Sequence, residues 1–288
     1  MKLGNQYHLD DPFKAAARLH QSRYRAEVLK VADDEYGNRL NEHDARELLN
    51  YYAHLNSREV LRRKYPGYSK KRDADMLRSE HIPFNMLAPL DCDRLAAAGI
   101  IFDAFGIACD TVSNIHIEFA PDKSVRPYLG DGTAFDAYLE VMKPGGAKCG
   151  IGIEVKYTEQ SYRIGITEKV NVENKDSLYW ETARWSGEFI DPDDDIFGTD
   201  ELRQIWRTHL LGLSMVKHGD LDEFYSITLF PDGNEHFHNA LGKYRSLLST
   251  NGREHVFGCT FEKFISSIHG NAEFDAWKLW LERRYLVK

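Results

Sequence analysis

Residues 135–159, FDAYLEVMKPGGAKCGIGIEVKYTE, constrain this chain more than any other stretch. Phe135, Ala137, Leu139 and Val141 alternate with Asp136, Tyr138 and Glu140. Further on, Ile151, Ile153 and Val155 alternate with Gly152, Glu154 and Lys156. A period of two is the mark of a strand with one face in a core. Pro144, Gly145 and Gly146 supply a turn between the two strands. Paired as a hairpin, the strands send their apolar residues to one side and bring Asp136, Glu154 and Lys156 together on the other. Two carboxylates and an ammonium gathered on one sheet face are unfavourable unless something binds there.

The remaining pattern places helices around this hairpin. Residues 12–35 and 41–65 carry apolar residues at near-helical intervals, with Asp10 and Asp11 before Pro12, and Asn41 three residues before Asp44, as helix starts. Pro66–Arg72 breaks the pattern, so residues 1–72 are expected to be a helical N-terminal region and 73–288 the main domain. Within the latter, helices are expected over 73–88, kinked near Pro83, and over 91–108, with Leu95, Ile100, Ile101 and Phe105 facing inward. A strand follows at 112–119. Residues 160–200 read as short helices with an exposed excursion. Then come a helix at 202–217, a strand at 224–230, a helix from Asn234 to Leu248, an edge strand at 256–260, and helices at 261–268 and 273–285. That alternation predicts an α/β fold with a mixed sheet covered by helices on both sides.

Composition excludes several classes. No apolar run approaches the roughly 20 residues of a membrane span, and the N-terminus lacks the apolar core of a secretory signal, so a cytoplasmic protein is expected. Cys92, Cys109, Cys149 and Cys259 have no metal-like or paired spacing and are expected as free thiols. The net charge of −8 opposes indiscriminate binding to phosphates. The charge is segregated, however. Residues 58–78 hold eight Lys and Arg against three acids, and 187–201 hold seven acids and no base. A basic surface can therefore exist on an acidic chain.

An acid on one strand and Glu-x-Lys on the next have a shared chemical logic. Asp136 and Glu154, with the Val155 carbonyl, are suited to a hard cation such as Mg2+, which prefers oxygen ligands. A bound cation activates water and offsets phosphoryl charge, and Lys156 on the same face can stabilise the charge that develops. Asp136…Glu154-x-Lys156, on successive strands after a helix and a strand, resembles the PD-(D/E)XK nuclease superfamily, and within it a restriction-endonuclease-like branch of bacterial proteins. SEHIPFNMLAPL (79–90), DGTAFDAYLEV (131–141), GIEVKYTE (152–159), QIWRTHLL (204–211) and FYSITLFPDGN (224–234) carry the resemblance, over about residues 75–270. One departure is that Phe135, not proline, precedes Asp136.

The resemblance implies an αβββαβ restriction-endonuclease-like core and Mg2+-dependent phosphodiester hydrolysis, with Mn2+ as a substitute. It implies Asp136 and Glu154 as metal ligands, Lys156 as the catalytic lysine, and supporting roles for Glu80 on the preceding helix and Gln204 on the following one. It further implies DNA as the substrate, a role in restriction or defence, and a possible homodimer. Arg62, Arg63, Lys64, Lys70, Lys71 and Arg72 in the basic run, and Arg207 one turn after Gln204, are the phosphate-contact candidates. Glu118 is an alternative ligand, Glu159 directly follows the motif, and Glu140, four residues along the strand from Asp136, is expected at the surface. His236 and His238 lack the i, i+4 spacing of a zinc pair. Two other readings remain: a catalytically silent nucleic-acid-binding or assembly protein with the same fold, and a metal-free hydrolase using the carboxylate pair.

Overall fold

The structure is a computed structural model that describes residues 2–161 and 164–287. Its centre is a five-stranded sheet. A short ladder, β1 (Asp33–Asp34) with β2 (Tyr36–Leu40), lies apart from it in the N-terminal region. The central strands are β3 (Thr111–Phe119), β4 (Phe135–Met142), β5 (Lys148–Val155), β6 (Glu223–Phe230) and β7 (Val256–Thr260), in that spatial order. β3, β4 and β5 are antiparallel, and β5, β6 and β7 are parallel. The predicted mixed sheet is thus present, with β7 at one edge.

The N-terminal region differs from the sequence pattern. The first helix, α1 (Pro12–Arg23), starts as expected, with the Asp11 side chain accepting from the Lys14 N–H at 2.9 Å. It widens into a π-turn at Tyr24–Leu29, and the chain then turns into the β1–β2 ladder rather than continuing as helix to residue 35. The second stretch is split into α2 (Glu42–Arg46), capped by Asn41 as expected, and α3 (Ser57–Lys64). Leu48, Leu55 and Asn56 take left-handed backbone conformations between them, which interrupts a continuous helix. In the second stretch Leu48, Tyr52 and Leu61 are buried as the apolar spacing suggests, but in the first Ala16 and Val28 are exposed, and the spacing shows none of these turns. Gln21 of α1 donates to the Tyr157 hydroxyl at 2.7 Å and to the Arg284 carbonyl at 2.9 Å, so the N-terminal helix packs against the motif strand's continuation and the chain's end.

Pro83 occupies the first turn of α4 (Ile82–Met86) rather than kinking a longer helix, where its missing N–H is not needed. α5 (Arg94–Phe105) buries Ile100, Ile101 and Phe105 as expected, but Leu95, just after the Asp93 cap, is 83% exposed. Next along the chain are α6 (Ile166–Glu173), α7 (Leu178–Ser186), α8 (Arg203–Lys217), α9 (Glu235–Ser246), α10 (Thr250–His255), α11 (Phe261–Ser266) and α12 (Ala272–Tyr285). α5, α11 and α12 cover one face of the sheet, over Ala137, Leu139, Ile151 and Ile153. α7, α8 and α9 cover the other, through Trp180, Trp206, Leu210 and Tyr244. All four cysteines are free, and Cys149 and Cys259 are buried. Among the described residues, no helix is long and apolar enough to cross a membrane.

The second layer sits close to the sheet because small residues let it. A Cβ on Gly152 of β5 would stand 2.7 Å from the Phe224 ring, and one on Gly212 of α8 would strike the same ring. Glycine at both places lets Phe224 fill the space between strand and helix, which fixes the depth of α8.

A polar chain ties this layer to the sheet's far end. The His209 ring bonds the Tyr244 hydroxyl and Glu188, each at 2.9 Å, and Glu188 reaches the His255 ring at 2.7 Å. Burial pushes the Glu188 carboxyl up, but the hydrogen bonds from His209 and His255 outweigh it and hold it down at about 2. His255 is raised by its bond to Glu188. The depressed carboxyl contributes stability that is present above about pH 4.3 and is lost as pH falls toward 2. The raised imidazole contributes stability that is full below about pH 6.5 and is lost as pH rises through its folded value. Melting temperature against pH should therefore show both losses in the wild type, and Glu188→Gln should flatten both limbs. An unchanged profile would remove Glu188 from this role.

Candidate active site

The register of the hairpin brings the motif residues together. Ala137 lies opposite Ile153 in the antiparallel pair, so Asp136 and Glu154 face each other one step further out, where the pairing ends. The ladder does not simply stop there. Asp136 Oδ2 accepts the Val155 N–H at 2.7 Å, and a side chain thereby replaces a backbone partner. Lys156 keeps its own N–H on the Leu229 carbonyl of β6 at 2.9 Å, which aims its side chain back over Glu154. Its ammonium donates to Glu154 Oε1 at 2.6 Å. Glu154 and Lys156 are 6% and 7% exposed, so the ion pair is inside the protein.

Gln204, in the first turn of α8, donates through Nε2 to the same Glu154 oxygen. Sequence spacing had placed Gln204 after the core; the depth of α8 is what delivers it. Arg207, one turn on, turns to Glu168 of α6 at 3.0 Å and to the Thr133 hydroxyl at 3.1–3.2 Å.

Glu80 lies on a 3-10 turn, Ser79–His81, that leads into α4. Arg78 grips its carboxylate with two bonds of 3.0 and 2.9 Å, and this grip lowers its pKa. Glu159 links that turn to the motif strand. It accepts the Ser79 N–H at 2.8 Å while bonding the N–H groups of Tyr157 and Thr158 at 3.2 Å. Glu140 is at the surface as expected, bonded to Asn114 at 2.7 Å.

Glu118 at the end of β3 is the less legible part of the site. Its φ is 56°, the left-handed region that a side chain rarely adopts within a strand. Lys64 at the end of α3 donates to its carbonyl at 2.5 Å, and the Tyr65 hydroxyl bonds its carboxyl. Burial, together with the charge of Glu154, raises its pKa. Sequence alternation offered no sign of that backbone turn.

The electrostatics follow from this crowding. Burial first, then the Glu154 charge, push the Asp136 carboxyl well above the usual carboxylate range. Burial opposes the charged form of Lys156, but Glu154 and Asp136 outweigh it and raise its pKa, so the ammonium stays charged. One cation thus serves two carboxylates, the buried Glu154 and the half-buried Asp136, and leaves Asp136 short of positive charge. Among the described residues no group of three His, Cys, Asp or Glu side chains is arranged to hold a metal. A cation here would rest on Asp136, Glu154 and backbone or solvent oxygens. An oxygen-only donor set with a deficit of positive charge fits Mg2+, which retains waters.

Among the basic candidates, Arg72 is taken up by Asp73 at 2.8 Å and stacks on Tyr65 at 4.5 Å. Lys70 pairs with Asp34 at 3.0 Å. Arg62, Arg63, Lys64 and Lys71 are exposed.

The sheet is mixed, and the acid–Glu-x-Lys cluster stands where its two antiparallel strands part. The family model of the PD-(D/E)XK nuclease superfamily matches residues 8–287, and the chain belongs to that superfamily. The match begins at residue 8 and so takes in the N-terminal helices that the motif-by-motif resemblance left outside. No curated protein and no solved structure matches the chain.

Because the folded-state pKa of Asp136 is raised, the charged form destabilises the metal-free fold. That penalty is absent below the unfolded value near pH 3.9 and grows as pH rises toward the folded value. Asp136→Asn keeps an oxygen for the Val155 N–H and removes the charge. The metal-free variant should melt several degrees above wild type at pH 7, with the gap closing near pH 4. Equal melting temperatures at both pH values would contradict the raised pKa.

Proposed function

We propose that the protein is a Mg2+-dependent nuclease that hydrolyses phosphodiester bonds in DNA. The observation that carries this is the Asp136–Glu154–Lys156 cluster, in which one ammonium stands against two carboxylates, so that an ionised Asp136 calls for a further cation. Asp136 and Glu154, with the Val155 carbonyl, would hold the cation. When bound it supplies Lewis-acid stabilisation of phosphoryl charge and a more acidic water. Glu154 holds the Lys156 ammonium at the mouth of the site, where it orients the attacking water by hydrogen bonding and stabilises negative charge on the phosphoryl group. Gln204 fixes the Glu154 carboxylate so that one oxygen serves Lys156 while the other faces the cation. Glu80, tethered by Arg78 and by the Glu159 link, supports the same centre from the α4 side.

The N-terminal region, residues 1–72, is proposed to supply the phosphate-backbone contacts through Arg62, Arg63, Lys64, Lys70, Lys71 and Arg72. Arg207 is proposed to support the site from α8. A cytoplasmic restriction or defence role and a homodimer complete the proposal.

Incubation with DNA and Mg2+ or Mn2+ tests it. Cleavage should appear with either metal and vanish with EDTA. Asp136→Ala, Glu154→Ala and Lys156→Ala should each lower the rate by at least about 100-fold while melting cooperatively. Undiminished cleavage by Glu154→Ala would remove the assignment. Metal-free activity that survives EDTA would favour a carboxylate-pair hydrolase instead.

Gln204→Ala tests the supporting role separately. It should cost roughly 10–100-fold in activity or metal affinity, the usual consequence of losing a partner that orients a ligand. Titration calorimetry with Mn2+ reads the affinity directly, and an unchanged affinity and rate would exclude Gln204.

A further inference from the structure

A groove runs along the open edge of the sheet, between α3 and β3. It encloses about 260 Å3 and lies between Arg63 and Lys64 on one wall and the segment from His116 to Phe119 on the other. This volume is below the roughly 300–1,000 Å3 of pockets for drug-sized ligands, enough for one base and too little for a base pair.

The strand-side wall is aromatic and rigid. Phe119 lies 4.6 Å from the Tyr138 ring at an interplanar angle of 14°, and Tyr138 is buried. His116 lies 5.1 Å from Phe119 at 34°, and its side chain is 40% exposed. The buried tyrosine thus backs two rings that reach the surface. Between them stands Glu118, its backbone turned left-handed, with Lys64 on its carbonyl. Glu118 is within electrostatic reach of both Asp136 and Glu154. Glu118, which lines the groove, thus lies on the side toward the Asp136–Glu154 cluster.

Cations on one wall and ring faces on the other suit a nucleic-acid strand with an accessible base. In a duplex, neighbouring bases cover one another's faces, and only an unpaired base can stack on a side chain. Resting on the nuclease reading above, we propose that this groove receives an unpaired nucleotide of the strand to be cut, so that the enzyme acts on single-stranded or locally unpaired nucleic acid. Arg63 and Lys64 hold the backbone, while His116 and Phe119 take the base.

The test compares three oligonucleotides with Mg2+: a single strand, a fully paired duplex, and a duplex with an internal unpaired bubble. The wild type should cut the single strand and the bubble at least about 10-fold faster than the paired duplex. Loss of one base–aromatic contact should weaken single-strand binding about 5- to 150-fold. Phe119→Ala and His116→Ala should therefore raise KM for the single strand by that order, with smaller effects on kcat. The base itself gives a second readout. Fluorescence of a single strand carrying 2-aminopurine should be quenched on binding to Glu154→Ala, and less so when His116→Ala is added.

Phe119 packs on Tyr138, so melting of Phe119→Ala is checked first; His116→Ala, at an exposed position, carries the test if that variant unfolds. Equal or faster cutting of the paired duplex overturns the groove assignment and leaves the nuclease reading standing. So does a single-strand preference that both substitutions leave intact. Absence of cleavage on all three substrates with either metal overturns both.

Discussion

The shortage of positive charge around Asp136 and Glu154 governs the rest of this structure. One buried ammonium, that of Lys156, stands against the buried Glu154 and half-buried Asp136 carboxylates, with Glu118 nearby. Such an arrangement survives metal-free only because each carboxylate is held by donors: Asp136 by the Val155 N–H, Glu154 by Lys156 and Gln204. Buried polar groups that keep hydrogen-bond partners avoid most of the desolvation cost, but an excess of like charge remains. The proposed hard cation would relieve that excess.

Much of the surrounding architecture serves to deliver those donors. The antiparallel pair β4–β5 places the two acids opposite each other, and the parallel pair β5–β6 anchors Lys156 through the Leu229 carbonyl. Phe224 sits between Gly152 and Gly212, so α8 comes close enough for Gln204 to touch Glu154. On the other side Glu159 fastens the Glu80 turn to the end of the motif strand. Trp277 of α12 and Asn85 of α4 are bonded at 2.8 Å, which holds that turn against the face of the sheet that α5, α11 and α12 cover. Membership of the PD-(D/E)XK superfamily, shown over residues 8–287, agrees with this plan.

Where the chain was hard to read, the reasons are local. Helical spacing over 41–65 reflected burial better than over 12–35, where Ala16 and Val28 are exposed, and left-handed residues at Lys30, Leu48, Leu55 and Asn56 broke the helices. Nothing in the side-chain pattern requires a non-glycine residue to turn that way. Leu95 is apolar and sits at a helical interval, but the start of α5 projects it into solvent. Residues 135–155 were legible because a two-residue period, a glycine turn and paired acids all point to one hairpin. Consistency across levels is what makes a segment readable.

By itself the sequence determined the strand pair, its two faces, the order of most helices after residue 90, and the identity of Asp136, Glu154 and Lys156 as a cluster. These follow from short-range periodicity and sterics, which a chain carries wherever it folds. Only the tertiary structure decided that Gln204 bonds Glu154 and Arg207 turns to Glu168. It also decided that Glu159 ties Glu80 to the motif, and that Glu118 and the His116–Phe119 wall border the site through an α3 some fifty residues upstream. Each of those contacts joins segments far apart in the chain. Their geometry depends on the depth and angle at which helices pack on the sheet, and no local pattern encodes that.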